Sequence, residues 1–267
     1  WLGEQLGMDT LHAYATKYFG FGQPTGIGIG ESSGIVPNKD WHRRNERVWM
    51  PGFTLSTAVG QKDVRATPLQ VARAFVAMAN GGELIEARIV RQFEDVHGNV
   101  IRAMTRESTE RLPVSKEDMA RMQEGLWRVV NDENGTAFNV RQDGLEIAGK
   151  TGTAEAAESK AGVSDEIKRW LLDDHAWFVG YAPARNPEIV VCVFLEHGHS
   201  GSKAAAPVAA RIFKSYFQQY GTGEEPKIEV KNPIMGPGVP VEKDNKDNKD
   251  KKDDVVDINR APIDIEE

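Results

Sequence analysis

The 267-residue sequence has a single cysteine, Cys192, and so can form no intrachain disulfide framework. Its neighbours, Ile189-Val190-Val191 before and Val193-Phe194 after, are apolar, which reads as a small buried side chain and not a reactive thiol. A basic surplus is also missing. Lys and Arg total 33 against 40 Asp and Glu, a net charge of −7, which leaves no excess cation to neutralise phosphates and argues against nucleic-acid binding. No apolar run approaches the ~20 residues of a membrane-spanning helix, and no signal peptide is visible. The chain opens on Trp1 and not on methionine. It therefore reads as a processed or incomplete product, and a missing targeting signal says little of a parent protein. Metal-ligand spacing is thin as well. Glu196-His197-Gly198-His199 sets three candidate ligands about one glycine in a turn, while His12, His42, His97 and His175 are scattered. No metal and no cofactor is expected.

What is present is enough sequence for a sizeable core, in one large domain or two small ones. Helical spacing runs from Leu2 to Tyr18, with Leu6, Leu11, Tyr14 and Ala15 as the candidate buried face. Phe19-Gly20-Phe21-Gly22 breaks it. From Gly26 to Phe53 the chain is rich in Gly, Pro and Asn, and Trp41 and Trp49 mark it as a packed excursion instead of a linker. Thr67-Pro68-Leu69-Gln70 is a helix start with a capping box, and Asn80-Gly81-Gly82 ends that helix. Leu84 to Arg102 is β-like, with His97-Gly98-Asn99 as a hairpin turn. Ser115 caps a further helix carrying Met119, Met122, Leu126 and Val129 at helical spacing. Leu145-Glu146-Ile147-Ala148 reads as a short strand leading into Gly149-Lys150-Thr151-Gly152-Thr153-Ala154. A polar loop follows from Glu155 to Asp174. Ala176–Tyr181 and Glu188–Glu196 are two buried strands, paired as an antiparallel hairpin through Pro183–Pro187. A last helix covers Ala205 to Tyr220, with Val208, Ile212, Phe213, Tyr216 and Phe217 facing inward. Residues 221–267 form a low-complexity charged tail, expected to be disordered.

The chemistry concentrates at Lys150-Thr151-Gly152-Thr153. A glycine lets another backbone approach, the lysine supplies positive charge, and the threonine hydroxyls suit a carboxylate. Strand alternation puts Lys150 and Gly152 on one face and Thr151 and Thr153 on the other, so all four serve one site only if the strand is an edge. Gly144 to Thr151 also matches the phosphate-loop pattern G-x-x-x-x-G-K-[ST]. That loop should follow an apolar strand and open a helix, whereas Asn139–Asp143 is mostly polar and Gly152 falls where the helix should begin. A nucleotide hydrolase is therefore only a remote alternative. In nucleophilic sites of the K-T-G kind, a serine and a lysine lie one helical turn apart in S-x-x-K, with a further S-x-N motif. One formal S-x-x-K occurs, Ser200-Gly201-Ser202-Lys203, but it follows the Lys150 strand and sits in a glycine-rich turn, so it is set aside as a decoy. No S-x-N occurs.

Taken together, Ala148–Ala154 followed by Asp174-His175-Ala176-Trp177-Phe178-Val179-Gly180-Tyr181-Ala182-Pro183 resembles the transpeptidase domain of class B penicillin-binding proteins. Gly20–Ile27, Val59-Gly60-Gln61, Ala66–Ala72 and Ala205–Ala209 agree, and the likeness is greatest to the elongation-type branch, penicillin-binding protein 2. It runs from Trp1 to about Tyr220 in order. The resemblance implies an α+β fold of the serine β-lactamase kind, an antiparallel sheet with helices on both faces. It also implies serine acyl transfer on the D-Ala-D-Ala end of a peptidoglycan stem peptide, with β-lactams as ligands and the cell-wall elongation machinery as partner. Lys150 would contact the serine of S-x-N, Thr151, Gly152 and Thr153 would bind substrate, and the Thr153 N–H would be half of an oxyanion hole. The family's nucleophile helix, S-x-N loop, membrane anchor and pedestal are expected upstream of Trp1. Residues 1–220 are then a partial domain, inactive alone, whose parent sits on the outer side of the bacterial membrane. Phe53 and Glu155 depart from the family's commoner Asp or Asn and Gln. A non-catalytic scaffold of the same fold and an unstable remnant stay open as alternatives.

Overall fold

Thr67 opens the best-marked helix of the chain. The computed structural model describes residues 1–45, 48–105, 108–156, 164, 167 and 170–221. All of them fall within the compact unit Trp1–Val230; the tail expected over 221–267, apart from Gly221, and most of the loop expected over Glu155–Asp174 lie outside the described residues. In helix α5 (Pro68–Ala79), the fifth along the chain, the Thr67 hydroxyl accepts the Gln70 N–H at 3.2 Å and the Gln70 Oε1 accepts the Thr67 N–H at 2.9 Å. This is the expected capping box. Gln70 is also buried, and its Nε2 donates to the carbonyls of Gln23 and Ser33, both at 2.8 Å. The cap thus pegs down the preceding loop.

Upstream, the single helix expected over Leu2–Tyr18 is two, α1 (Leu2–Leu6) and α2 (Met8–Phe19). Gly7 between them takes φ 75° and ψ 158°, which no helix continues through. The break rotates the second segment, so Met8 is the buried residue while Leu6 and Tyr14 are exposed. The excursion that follows contains α3 (Lys39–Arg44), capped by Asn38, and α4 (Pro51–Ala58). Its tryptophans are only half-buried. The anchor is His42, 1% exposed and stacked on Phe53 with ring centroids 4.8 Å apart.

The β-like stretch after α5 resolves into two small antiparallel pairs. β2 (Gln92–Glu94) and β3 (Val100–Ala103) form the expected hairpin, whose turn is closed by Asp95 Oδ1 accepting the N–H groups of His97 at 2.8 Å and Asn99 at 2.9 Å. β1 (Glu83–Ile85) instead pairs with β4 (Ser108–Arg111), a strand the sequence reading did not include. Helix α6 (Lys116–Asn131) starts at Ser115, whose hydroxyl accepts the Asp118 N–H at 3.0 Å. Met119 is buried with Ala77, Leu84 and Leu112, but Met122 is exposed.

The main sheet is antiparallel, in the order β5 (Ala148–Ala154), β6 (His175–Ala182), β7 (Ile189–Leu195). β5 begins at Ala148 and not Leu145, because Gly144 turns at φ 80° and Leu145 bridges back to Gln142. Helices cover both faces. On one, Phe75 of α5 packs with Ala148, Val179 and Tyr181. On the other, Phe178, Val191 and Val193 pack against α7 (Ala206–Tyr220). Phe213 is the fully buried large side chain of α7, with the equally buried Ala206 and Ala209 letting the helix sit close, whereas Ile212 is exposed. Burying one phenylalanine of this kind contributes roughly 2–3 kcal/mol.

Candidate active site

Strand β5 is an edge of the three-stranded sheet, the condition under which Lys150, Thr151, Gly152 and Thr153 can share a site. Lys150 pairs with Val179 and Gly152 with Trp177, placing both on the face that carries Val179 and Tyr181. Thr151 and Thr153 project from the opposite face, where the Thr151 hydroxyl lies 2.9 Å from that of Thr136. In an antiparallel ladder, the N–H and C=O of one residue point to the same side and alternate along the strand. The Thr153 carbonyl accepts from Gln61, outside the sheet, so Thr151 and Thr153 present their backbone groups to the open side and Gly152 turns its own toward β6.

Lys150 Nζ reaches round to that open side and donates to the Thr151 carbonyl at 2.8 Å. Other side chains hold the strand at its two ends. Asn131 Nδ2 donates to the Ile147 carbonyl at 2.8 Å. Gln61 Nε2 donates to the Thr153 carbonyl at 3.1 Å, and Gln61 Oε1 accepts the Glu155 N–H at 3.2 Å. The stretch between, from Thr151 to Thr153, spans roughly 7 Å at strand rise. That fits a short peptide terminus. Gln61 stood in the sequence only as part of a family-like segment, with no role assigned; its partners are 92 and 94 residues away.

Beside this edge lies a cleft of about 730 Å³. Its floor is the Lys150 face of the sheet with Trp177, Val179 and Phe194, and its far wall is apolar, from Leu11 and Ala15 of α2 to Val71 and Phe75 of α5. Lys150 shares this hollow with Lys62, Arg65 and Glu155, so its mouth carries a surplus of positive charge above a partly apolar floor.

Three further sequence features find their places. The phosphate-loop match fails on structure: Ala148–Ala154 is extended strand, so the pattern neither forms a loop nor opens a helix. Ser200–Lys203, expected in a glycine-rich turn, lies instead at the start of a helical segment. Ser200 precedes a wide helical turn, Gly201–Ala205, that runs into α7 and rests against Gly152 and Trp177. The Ser200 hydroxyl pairs with that of Ser202 at 3.1 Å, and Lys203 is exposed. The turn sits on the Thr151 face, away from the cleft. Of the histidines, His197 donates its backbone N–H to His175 Nδ1 at 3.0 Å and His199 Nε2 lies 3.3 Å from Asp173. Among the described residues no three His, Cys, Asp or Glu side chains are grouped for a metal ion.

An edge strand beside a cleft, on an antiparallel sheet flanked by helices, is the fold of a penicillin-binding transpeptidase domain. Residues 1–214 match the penicillin binding protein transpeptidase domain, and the chain belongs to that family. It is 35% identical over 236 residues to the peptidoglycan D,D-transpeptidase MrdA of Haemophilus influenzae, covering 80% of this chain and 33% of that protein. A crystal structure of Pseudomonas aeruginosa PBP2 in complex with WCK 5153 superposes with a TM-score of 0.68 at 32% identity, over 87% of this chain and 47% of the other. A complex of penicillin-binding protein PBP2 and MreC from Helicobacter pylori gives 0.65 at 25% identity, over 82% and 37%. The chain thus spans about a third of the length of the curated relatives it matches.

Proposed function

We propose that the chain carries the K-T-G half of the active site of a peptidoglycan D,D-transpeptidase, acting by serine acyl transfer on the D-Ala-D-Ala end of a stem peptide and acylated by β-lactams. The observation that carries this reading is the open edge of β5 with Lys150 facing the cleft. A peptide laid along Thr151–Thr153 meets an outward Thr153 N–H, suited to charge developing on an attacked carbonyl oxygen. Its terminal carboxylate falls near Lys150 and the threonine hydroxyls. Lys150 supplies positive potential and contacts the serine of an S-x-N motif. The nucleophilic serine enters from the cleft side, on a segment preceding Trp1. Residues 1–220 are then part of a domain, and the chain alone is inactive. No helix among the described residues is long and apolar enough to cross a membrane. Placement on the outer side of the bacterial membrane, and partnership with the elongation machinery, rest on the relatives.

Two observations test this. The reading frame upstream of Trp1 should encode S-x-x-K and then S-x-N; absence of both ends the enzyme reading and leaves a scaffold. A fluorescent penicillin should label the full-length protein covalently, and Lys150→Ala should slow labelling at least about a hundredfold.

A further inference from the structure

Gln61 stands where the open edge of β5 ends. Its carboxamide engages the C=O of Thr153 and the N–H of Glu155, the i and i+2 groups that one residue of a parallel neighbouring strand would bind. The carbonyl requires a donor and the N–H an acceptor, which fixes the orientation of the amide. The side chain is held from behind. Gln61 N–H donates to the Ser56 carbonyl at 2.9 Å at the end of α4, and the Ile35–Arg65 bridge pins the chain just beyond.

We propose that Gln61 is a positioning residue for acyl transfer: it terminates the open edge of β5 and holds Thr153 so that its N–H faces the reacting carbonyl. The proposal rests on the transpeptidase reading above. Gly152 precedes Thr153 and leaves the backbone there without side-chain restraint. The direction of the Thr153 N–H therefore depends on ties to either side, the Gly152–Trp177 pair within the sheet and Gln61 beyond it. With the carboxylate toward Thr151, Gln61 faces the peptide on the other side of the scissile bond. It limits how far a donor strand can run along the edge.

The test uses the full-length protein and a fluorescent penicillin, with hydrogen exchange at the Glu155 amide as an independent readout. Gln61→Ala should lower the acylation rate constant about ten- to a hundredfold, since a small misplacement costs that much, and should speed exchange at Glu155. Gln61→Glu, equal in size, should be slow at neutral pH, where its carboxylate repels the Thr153 carbonyl. It should recover as pH falls toward the ordinary glutamate range, roughly 4, where the protonated acid again donates. Wild type should lack that acid recovery. Wild-type acylation by Gln61→Ala, a Gln61→Glu pH profile matching wild type, or unchanged Glu155 exchange would each overturn the proposal. If wild type itself takes no label, the transpeptidase reading fails and the catalytic role falls with it, while Glu155 exchange still decides whether the clamp exists.

Discussion

Gly201 rests on the backbone pair that joins Gly152 to Trp177, so close that an added Cβ would press into both carbonyl oxygens. Backbone, not a flexible side chain, lies in the way. Gly201→Ala should therefore destabilise the fold by about 1–3 kcal/mol, read from the urea midpoint, because something in the sheet or the turn must move. Cys192 gives a second residue-scale expectation. Cys192 is only partly buried, less than its apolar neighbours suggest, but desolvation on the α5 face of the sheet still pushes its thiol up to about 12. At pH 8 the native chain should release almost no thionitrobenzoate from Ellman's reagent, and unfolding should expose one equivalent. At this scale the sequence spoke for the apolar setting of Cys192, whose neighbours are adjacent in the chain, but overstated its burial. It could not speak for Gly201, since its contact is made across the fold.

Among the elements, α5 shows what a local signal can and cannot carry. Thr67→Ala removes half of the capping box and should cost about 1 kcal/mol. Gln70→Ala removes the other half together with the ties to Gln23 and Ser33, and should cost more, roughly 2–3 kcal/mol. Urea melts of both variants separate the cap from the peg. The cap was legible because its partners lie within four residues. The peg was not, nor was buried Arg73 one turn on, whose guanidinium donates to Ile85 O at 2.6 Å and Thr109 Oγ1 at 2.8 Å. Those partners join α5 to β1 and β4, and no periodicity announces them. The same holds for the candidate site. Lys150–Thr153 and its alternating faces could be read directly, whereas the edge position of β5 is a property of strand order. Gln61 reaches it from a turn that sequence spacing does not connect to it.

At the level of the whole molecule, two carboxylates should shape the response to acid. Glu31 accepts the Thr25 N–H at 2.8 Å, with the Thr25 hydroxyl and the Gly26 N–H adding to it, and these hold its pKa below the usual value. Asp95 is lowered by the Asn99 side chain and then by the turn amides of Asn99 and His97. A carboxylate with a depressed folded pKa contributes stability that is fully present above its unfolded value, about 4, and lost as pH falls through the lower folded one. The melting temperature should hold steady from pH 7 to about 5 and then fall toward pH 3. Glu31→Gln should flatten part of that fall. The sheet order has one more effect, on solubility. β5 offers only a short, charge-bearing, bracketed length to the outside, but β7 closes the other side with Ile-Val-Val-Cys-Val-Phe-Leu, seven residues without a charge or a proline. Such an edge can template a second copy strand by strand. When the chain is concentrated or warmed by itself, aggregation should nucleate at β7, seen as growing β-sheet signal and thioflavin binding.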